Sequence, residues 1–239
     1  KVQDAKKSLE NALKINPDYV EVKFFLDAIN GNTPKTAPRF YVEKLFDEFS
    51  VNFDNHLLNS LSYDAPQRVK DILIASNKKK YFENILDLGC GSGLVGQELR
   101  TYCRYLEGVD LSKKMIEIAK KKEIYDKLYH EEITNYLSTK SLNFELIVST
   151  DVFNYIGNLE EIFKLIKTKN ATKGEFIFTT EHSELSNFSL NLSGRYSHSY
   201  EYIEELSLKF NFLIRHHEIF ELRSEANKKV PGAIYRLEF

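Results

Sequence analysis

At 239 residues the chain is long enough for one full α/β domain and a small appendage. Its 42% hydrophobic and 28% charged residues, with a formal net charge of −2, are ordinary for a globular protein. They argue against a basic nucleic-acid groove: Lys78–Lys80 and Lys120–Lys122 are short runs that read as solvated surface. Cys90 and Cys103 fit no metal or redox spacing and read as free thiols of a cytoplasmic setting, no apolar run is long enough to span a bilayer, and no signal peptide opens the chain.

In chain order, residues 1–31 read as two short amphipathic helices. Ala5, Leu9, Ala12 and Leu13 recur at helical spacing, Asn16–Asp18 makes the turn, and Tyr19–Ile29 forms the second helix before Gly31. The first residue already falls within a helical pattern, so the chain reads as a piece of something longer. The stretch GNTPKTAP (31–38) is a turn-rich linker. Helical segments follow at Tyr41–Phe49, around His56–Leu61, and at Pro66–Ala75 with its proline near the start. From Phe82 onward strands and helices alternate, with strands predicted at 84–88, 105–109, 128–130, 144–149, 175–180, 212–221 and 233–239. Helices lie between the first five strands, and a long one (199–210) precedes the sixth. The last two strands are joined by a loop alone and should pair as an antiparallel hairpin. The fold class is therefore α/β: a Rossmann-like, seven-stranded, mostly parallel sheet with helices on both faces and a C-terminal antiparallel hairpin, preceded by a small helical segment. The expected divisions are 1–38, a helical hairpin and linker, and 39–239, comprising a helical lid (39–80) and an α/β core (81–239).

The stretch ILDLGCGSGLVGQEL (85–99) holds four of the chain's ten glycines. Gly91, Gly93 and Gly96 satisfy G-x-G-x-x-G, and Asp110 follows at a distance that suits a ribose-binding acid. Nicotinamide enzymes share that fingerprint. Asp87 separates the cases, because a carboxylate at the end of the first strand should face the mouth where a ligand's charged end lies. A pyrophosphate there would meet like charge, worth about 4 kcal/mol at ~4 Å in an effective dielectric near 20, whereas the cationic end of S-adenosylmethionine would be attracted.

ILDLGCGSG (85–93) and LEGVDLSKKMIEIAKKK (106–122) resemble the class I S-adenosylmethionine-dependent methyltransferases. YVEKLFDEFSVNFDNHLLNSLSYDAPQ (41–67), VFNYIGNL (152–159) and GRYSHSYEYIEEL (194–206) resemble bacterial methyltransferases that carry tetratricopeptide repeats ahead of the catalytic domain. AKKSLENALKINPDYVEV (5–22) is similar to the second helix of such a repeat running into the next; an ordinary helical hairpin reads equally well from the same residues. The resemblance implies that Gly89, Gly91 and Gly93 let the backbone approach the methionine and ribose parts, where a Cβ would collide with the ligand. It implies that Asp87 orients the sulfonium end or amino group and that Asp110 accepts both ribose hydroxyls. Leu111 and Met115 would pack on the adenine faces, Glu132 would take its amino group with Ile133 beside the ring, and Ser149, Thr150 and Asp151 would lie under the methyl group.

Methyl transfer from a sulfonium is an in-line displacement that rests mainly on positioning, and needs a base only where the acceptor must lose a proton. Strand ends select two candidate places: TTEHSE supplies Glu181 and His182, and LSGRYSHSY supplies Arg195, Tyr196 and His198. One reading makes His182 or His198 the base and pairs Arg195 with an acidic acceptor group. The other has His198 and Ser199 cap the next helix, Arg195 in a structural salt bridge and His182 in a loop. Asp54 and His56, with Phe53 and Tyr63, form either a lid over the cofactor or plain helix packing. The expected activity is transfer of a methyl group from S-adenosylmethionine to an oxygen or nitrogen of a small molecule, leaving S-adenosylhomocysteine. The alternatives are a protein methyltransferase that docks its target through the N-terminal helices, and a non-catalytic cofactor-binding module. No metal, nucleic-acid or membrane partner is expected.

Overall fold

The computed structural model describes residues 1–50, 53–55, 63–76, 81–225 and 228–239. His56, and with it the helix expected around His56–Leu61, lies outside the described residues, as do Lys78–Lys80.

The amino-terminal helices are α1 (Val2–Ile15) and α2 (Val20–Asn30), the latter closed by Gly31 in the left-handed region at φ 76°. No side chain of α1 is buried, whereas α2 buries Val22, Phe24, Leu26 and Ala28. Phe24 packs against Tyr41 and Tyr196, with ring centroids 5.8 and 6.2 Å away. The turn-rich segment that follows is tied down rather than free. Ala37 donates its N–H to the Tyr155 carbonyl (3.0 Å), and Asn158 donates to the Lys35 carbonyl (2.8 Å). Next come α3 (Arg39–Phe49), the single turn α4 (Phe53–Asn55) and α5 (Ala65–Ala75), which has Pro66 in its first turn, where no N–H is needed.

The α/β part then runs β1 (Phe82–Leu88), α6 (Leu94–Leu99), β2 (Cys103–Asp110), α7 (Lys113–Lys121), β3 (Lys127–His130), α8 (Ile133–Thr139), β4 (Leu146–Ser149), α9 (Glu160–Lys169) and β5 (Glu175–His182). It finishes with β6 (Phe188–Leu190), β7 (Tyr196–His198), α10 (Tyr200–Lys209), β8 (Leu213–Glu225) and β9 (Lys228–Glu238). Strands β3, β2, β1, β4 and β5 lie side by side in that order, all parallel. Antiparallel β9 continues the sheet from β5, and β8 pairs with β9 as the expected hairpin.

The central strands are almost continuously apolar because helices cover both faces, and successive side chains enter opposite cores. Leu86, Leu88 and Ile147 join the core under α8, α9 and α10. Ile85, Leu146 and Val148 join the core under α5 and α6, which also takes Phe220 and Leu222 from β8. All seven expected strands are present. Strands β6 and β7 are additions to them: each is three residues long, too short to carry a period-two pattern. They form a small hairpin whose β7 runs parallel to the last two residues of β5, pairing Glu181 with Ser197 and His182 with His198.

Helix α3 and the α4 turn arch over the carboxyl ends of β1 and β2 and are fastened there by two aspartates. Asp47 accepts the Ser112 hydroxyl (2.5 Å) and the Lys114 N–H (3.3 Å) at the start of α7. Asp54 accepts the Ser92 hydroxyl and the Lys122 ammonium, the latter at 2.7 Å.

Candidate functional site

The turn after β1 is made by its backbone. Gly89 and Cys90 both donate N–H to the Val109 carbonyl, at 2.8 and 2.9 Å, which binds the turn to the end of β2. Gly89, Gly91 and Gly93 all sit at positive φ (73°, 52° and 93°). Their surroundings differ. A Cβ at Gly89 would stand 2.3 Å from Val152 Cγ2, and one at Gly93 would stand 3.0 Å from the Tyr125 ring. At Gly91 the nearest atom is on the Phe53 ring, 3.8 Å away. The collision anticipated with a ligand is thus a collision with the protein itself at Gly89 and Gly93, and Gly93 does not reach the cavity.

Beside this turn lies a cavity of about 570 Å³, walled on its outer side by Val42, Phe46 and Phe53 of the arch. At its β2–β3 end are Asp110, Leu111 and Ile133; at its β4 end are Tyr63, Thr150, Asp151 and Tyr155; Lys35, Arg39, Glu160 and Glu161 also border it. Asp110 is 9% exposed and accepts N–H from Gly91 (2.8 Å) and Ser112 (2.7 Å), one on each oxygen. A carboxylate has about four lone-pair sites, so half of its accepting capacity remains for a ligand. Burial pushes its pKa up to about 6, against the two backbone N–H groups, which lower it.

Several sequence assignments need correction. Asp87 does not line the cavity: it is 1% exposed and accepts the Tyr125 hydroxyl at 2.6 Å. Burial raises its pKa to about 7, the Tyr125 bond opposing, so near neutrality it is only partly ionised. The carboxylates bordering the cavity are instead Asp110 and Asp151, with Glu132, Glu160 and Glu161. Met115 is fully buried and off the wall, and Ser149, also fully buried, donates to the Leu88 carbonyl at 2.9 Å. Glu132 borders the cavity, but its carboxylate is the N-cap of α8, accepting the N–H groups of Thr134 and Asn135, each at 2.9 Å, and the Thr134 hydroxyl. The acid expected to meet an adenine amino group is therefore committed to its own helix.

None of Glu181, His182, Arg195, Tyr196 and His198 borders the cavity. Strand β7 adds alongside the end of β5 and takes those residues out of the crevice that strand ends normally face. His198 is fully buried, its Nε2 shared between the carbonyls of Ile156 (3.0 Å) and Gly157 (2.9 Å). Burial drives its pKa down to about 4, so it is no base poised near 6.5. Ser199 caps α10 through the Tyr202 N–H (3.1 Å). His182 pairs with Glu184 at 3.0 Å, Arg195 donates to the Tyr155 hydroxyl at 3.4 Å, and Tyr196 is packed against Gly157 and Phe24. Glu181 is bound by Arg223.

Arg223, on β8, is the residue that the sequence did not single out. Its side chain is 2% exposed and bridges two carboxylates, giving Nη1 to Asp151 Oδ1 at 2.9 Å and Nη2 to Glu181. Asp151 is held in the left-handed region at φ 55°, its N–H donated to Thr179 Oγ1 (2.9 Å) and its Oδ1 also accepting the Asn154 amide (2.8 Å).

A methyltransferase domain model matches residues 61–224. The chain belongs to the methyltransferase domain family. Its relatives include an uncharacterized methyltransferase of Schizosaccharomyces pombe, 24% identical over 167 residues that cover 60% of this chain and 58% of that protein. Another is the malonyl-[acyl-carrier protein] O-methyltransferase of Bacillus cereus, 23% identical over 146 residues (58% of this chain, 52% of that protein). The chain thus spans little more than half the length of these curated relatives. Among solved structures, the magnesium protoporphyrin IX methyltransferase of Synechocystis PCC 6803 with bound S-adenosylmethionine superposes with a TM-score of 0.62 at 14% identity, over 84% of this chain and 96% of that one. The N-methyltransferase NodS of Bradyrhizobium japonicum in complex with S-adenosylhomocysteine gives 0.62 at 15% identity, over 82% and 97%. The fold is that of the class I S-adenosylmethionine-dependent methyltransferases. The cleft has features that suit the S-adenosylmethionine and S-adenosylhomocysteine seen in those structures: bare backbone at Gly91, spare acceptor capacity at Asp110 for a diol, and apolar Leu111 and Ile133 for a flat ring.

Proposed function

We propose that this protein transfers the methyl group of S-adenosylmethionine to an oxygen or nitrogen atom of a small molecule. The observation that carries the reading is a cavity of about 570 Å³ with two chemically distinct ends, Asp110 and its apolar neighbours at one and Asp151, Tyr63 and Thr150 at the other. The bound cofactor supplies a methyl group on a positively charged sulfur. Asp110 accepts from the ribose hydroxyls, Leu111 and Ile133 pack on the adenine, and Gly91 and the Gly89 backbone pass under the methionine part. Tyr63, Thr150 and Asp151 surround the position from which the methyl leaves. The Val42–Phe46–Phe53 wall covers both partners and excludes water, so the chain's contribution is alignment rather than leaving-group chemistry.

We assign residues 39–239 to the transferase and 1–38 to a tetratricopeptide-like helical hairpin with its linker. Lys35–Ala37 border the cavity, so the linker's last residues serve the transferase as well. A feature that favours a protein acceptor is α1, which buries none of its side chains and leaves a face for a docking chain. The two buried cysteines, Cys90 and Cys103, are free thiols, which supports a reducing, cytoplasmic location.

Calorimetry with S-adenosylhomocysteine tests the cofactor half. Transfer of tritiated methyl groups to fractionated lysate tests the acceptor half: label in the small-molecule fraction supports the reading. Label confined to protein supports the docking alternative, and cofactor binding with no transfer to either fraction supports the non-catalytic module.

A further inference from the structure

We propose that the acceptor is an uncharged, largely apolar molecule, and that its half of the cavity discriminates against acceptors carrying a net charge of either sign. The inference rests on the methyl-transfer reading above and narrows its acceptor class.

A cofactor with its ribose at Asp110 crosses the Gly91–Gly89 turn and brings its sulfur toward Thr150 and Asp151. The acceptor then occupies the part of the cavity that the cofactor leaves open. Three separate stretches build that part. The segment after β4 gives Val152, Tyr155 and Ile156, α3 gives Val42 and Phe46, and the linker gives Ala37. They are fastened to one another. Ala37 donates its N–H to the Tyr155 carbonyl at 3.0 Å, Thr36 forms an antiparallel bridge with Ile156, and the Phe46 and Tyr155 rings meet edge-on, 5.3 Å between centroids. Apart from the Tyr155 hydroxyl, every side chain in this group is apolar, the lining of a site that holds a ligand by shape and contact area.

The charges around it are spent on one another. Arg223 bridges Asp151 and Glu181, while Arg195 acts on Glu181 and gives its Nε to the Tyr155 hydroxyl at 3.4 Å. Two guanidiniums thus stand against two carboxylates, and the cluster behind the β4 end has no net charge. Glu160 is held by Lys209 at 2.7 Å with Lys35 also acting on it, Glu161 is held by Lys164 at 3.2 Å, and Glu132 caps α8. Among the described charges bordering the cavity this leaves two. Asp110 matches the one net positive charge that the cofactor brings, and Arg39 is exposed to water at the start of α3. A carboxylate or an ammonium seated among Phe46, Tyr155 and Ile156 would give up hydration without meeting a spare counter-ion. A hydroxyl or an uncharged ring nitrogen gives up far less, and the Tyr155 hydroxyl and Asp151 Oδ2 are there to bond it.

The test is binding to the wild-type protein saturated with S-adenosylhomocysteine, titrated calorimetrically at pH 7.5 with two matched sets of probes. One set is 2-phenylethanol, phenylacetate and phenethylamine; the other is 2-naphthalenemethanol, 2-naphthoate and 2-naphthylmethylamine. The alcohol is expected to bind one-to-one and at least tenfold tighter than either charged relative. A charged relative within tenfold of its alcohol, or no alcohol binding in either set, overturns the inference. Ala37→Phe and Ile156→Phe narrow the acceptor half from the linker and from the segment after β4, and each should weaken alcohol binding at least fivefold. Undiminished alcohol binding in a variant that still takes up S-adenosylhomocysteine also overturns it. The wild-type comparison decides even where a variant fails to fold. Wild-type protein that does not bind S-adenosylhomocysteine at all would instead sink the methyl-transfer reading itself.

Discussion

Replacing Asp110 by alanine should weaken S-adenosylhomocysteine binding by about ten- to a hundredfold at pH 8. The carboxylate already accepts N–H from Gly91 and Ser112 at 2.8 and 2.7 Å, and its remaining lone pairs are the ones offered to the ribose diol. Hydrogen bonds to a charged acceptor contribute roughly 1.5–3 kcal/mol, and each 1.4 kcal/mol is about tenfold in affinity. The structure adds a second signature. Burial holds the Asp110 pKa at about 6, so its carboxyl is ionised at pH 8 and mostly protonated at pH 5. Ribose hydroxyls bind the ionised form, so binding removes a proton below pH 6 and wild-type affinity should fall by up to about tenfold per pH unit there. Asp110→Ala should lose that dependence. Isothermal titration of both proteins from pH 5 to 8 reads both effects. An alanine variant with unchanged affinity, or with the wild-type pH profile, would refute the ribose assignment.

Gly89→Ala should lower stability by about 2 kcal/mol or more, because a Cβ there adds a 2.3 Å clash with Val152 to a backbone at φ 73°. Gly91→Ala carries the backbone strain of φ 52° alone, with nothing nearer than Phe53 at 3.8 Å, so it should cost less stability than Gly89→Ala yet lose S-adenosylhomocysteine binding; urea denaturation with calorimetry separates the two, and equal stabilities would contradict the packing account. Asp87 has a folded pKa of about 7 against 3.8 in a model peptide, so the folded state binds the extra proton and Asp87's contribution to stability falls as pH rises from 4 to 7. Asp87→Asn should therefore raise Tm relative to wild type at pH 8 and lose that advantage near pH 4; the opposite trend would count against a buried carboxyl. His198 titrates at about 4 when folded and 6.5 when free, so its contribution is present above pH 6.5 and is lost as pH falls toward 4. His198→Ala should cost roughly 2–4 kcal/mol by cavity formation and by orphaning two carbonyls, with turnover per folded molecule retained; a stable variant without turnover would restore His198 to the chemistry.

The α/β alternation, the hairpin and the glycine turn that Asp110 closes were legible because their signals are local. A glycine turn between an apolar strand and a helix is made by consecutive backbone groups, and Asp110 closes it only 19 positions from Gly91. What the pattern could not distinguish is the reason for each glycine, since a left-handed turn reads the same whether Val152, Tyr125 or a ligand occupies the space beyond it. Strand-end logic also overreached at Asp87. Being last but one in a parallel strand aims a side chain toward one face, and here that face holds Tyr125, whose hydroxyl fills the place assigned to a ligand.

At the β4 end the sequence offered Tyr63, Thr150 and Asp151 but not the groups that surround them, for the complementary reason. Its members come from distant stretches: Lys35 and Arg39 before the sheet, Tyr63 beside α5, Asp151 after β4, and Arg223 on an antiparallel strand 72 positions from the carboxylate it holds. A lone arginine in a strand has no sequence signature of burial, because such a charge is tolerable inside only once partners from elsewhere surround it. The histidine-bearing loops drew attention because they end a strand and start a helix, positions where chemistry often sits. A three-residue strand was enough to reverse that. Pairing β7 with Glu181 and His182 converts the open end of β5 into sheet interior, so His198 becomes a neutral core residue and Glu181 a counter-ion for Arg223. The same insertion thus displaces the expected base and packs β7 beside Glu181 of β5, the second carboxylate that shares Arg223 with Asp151.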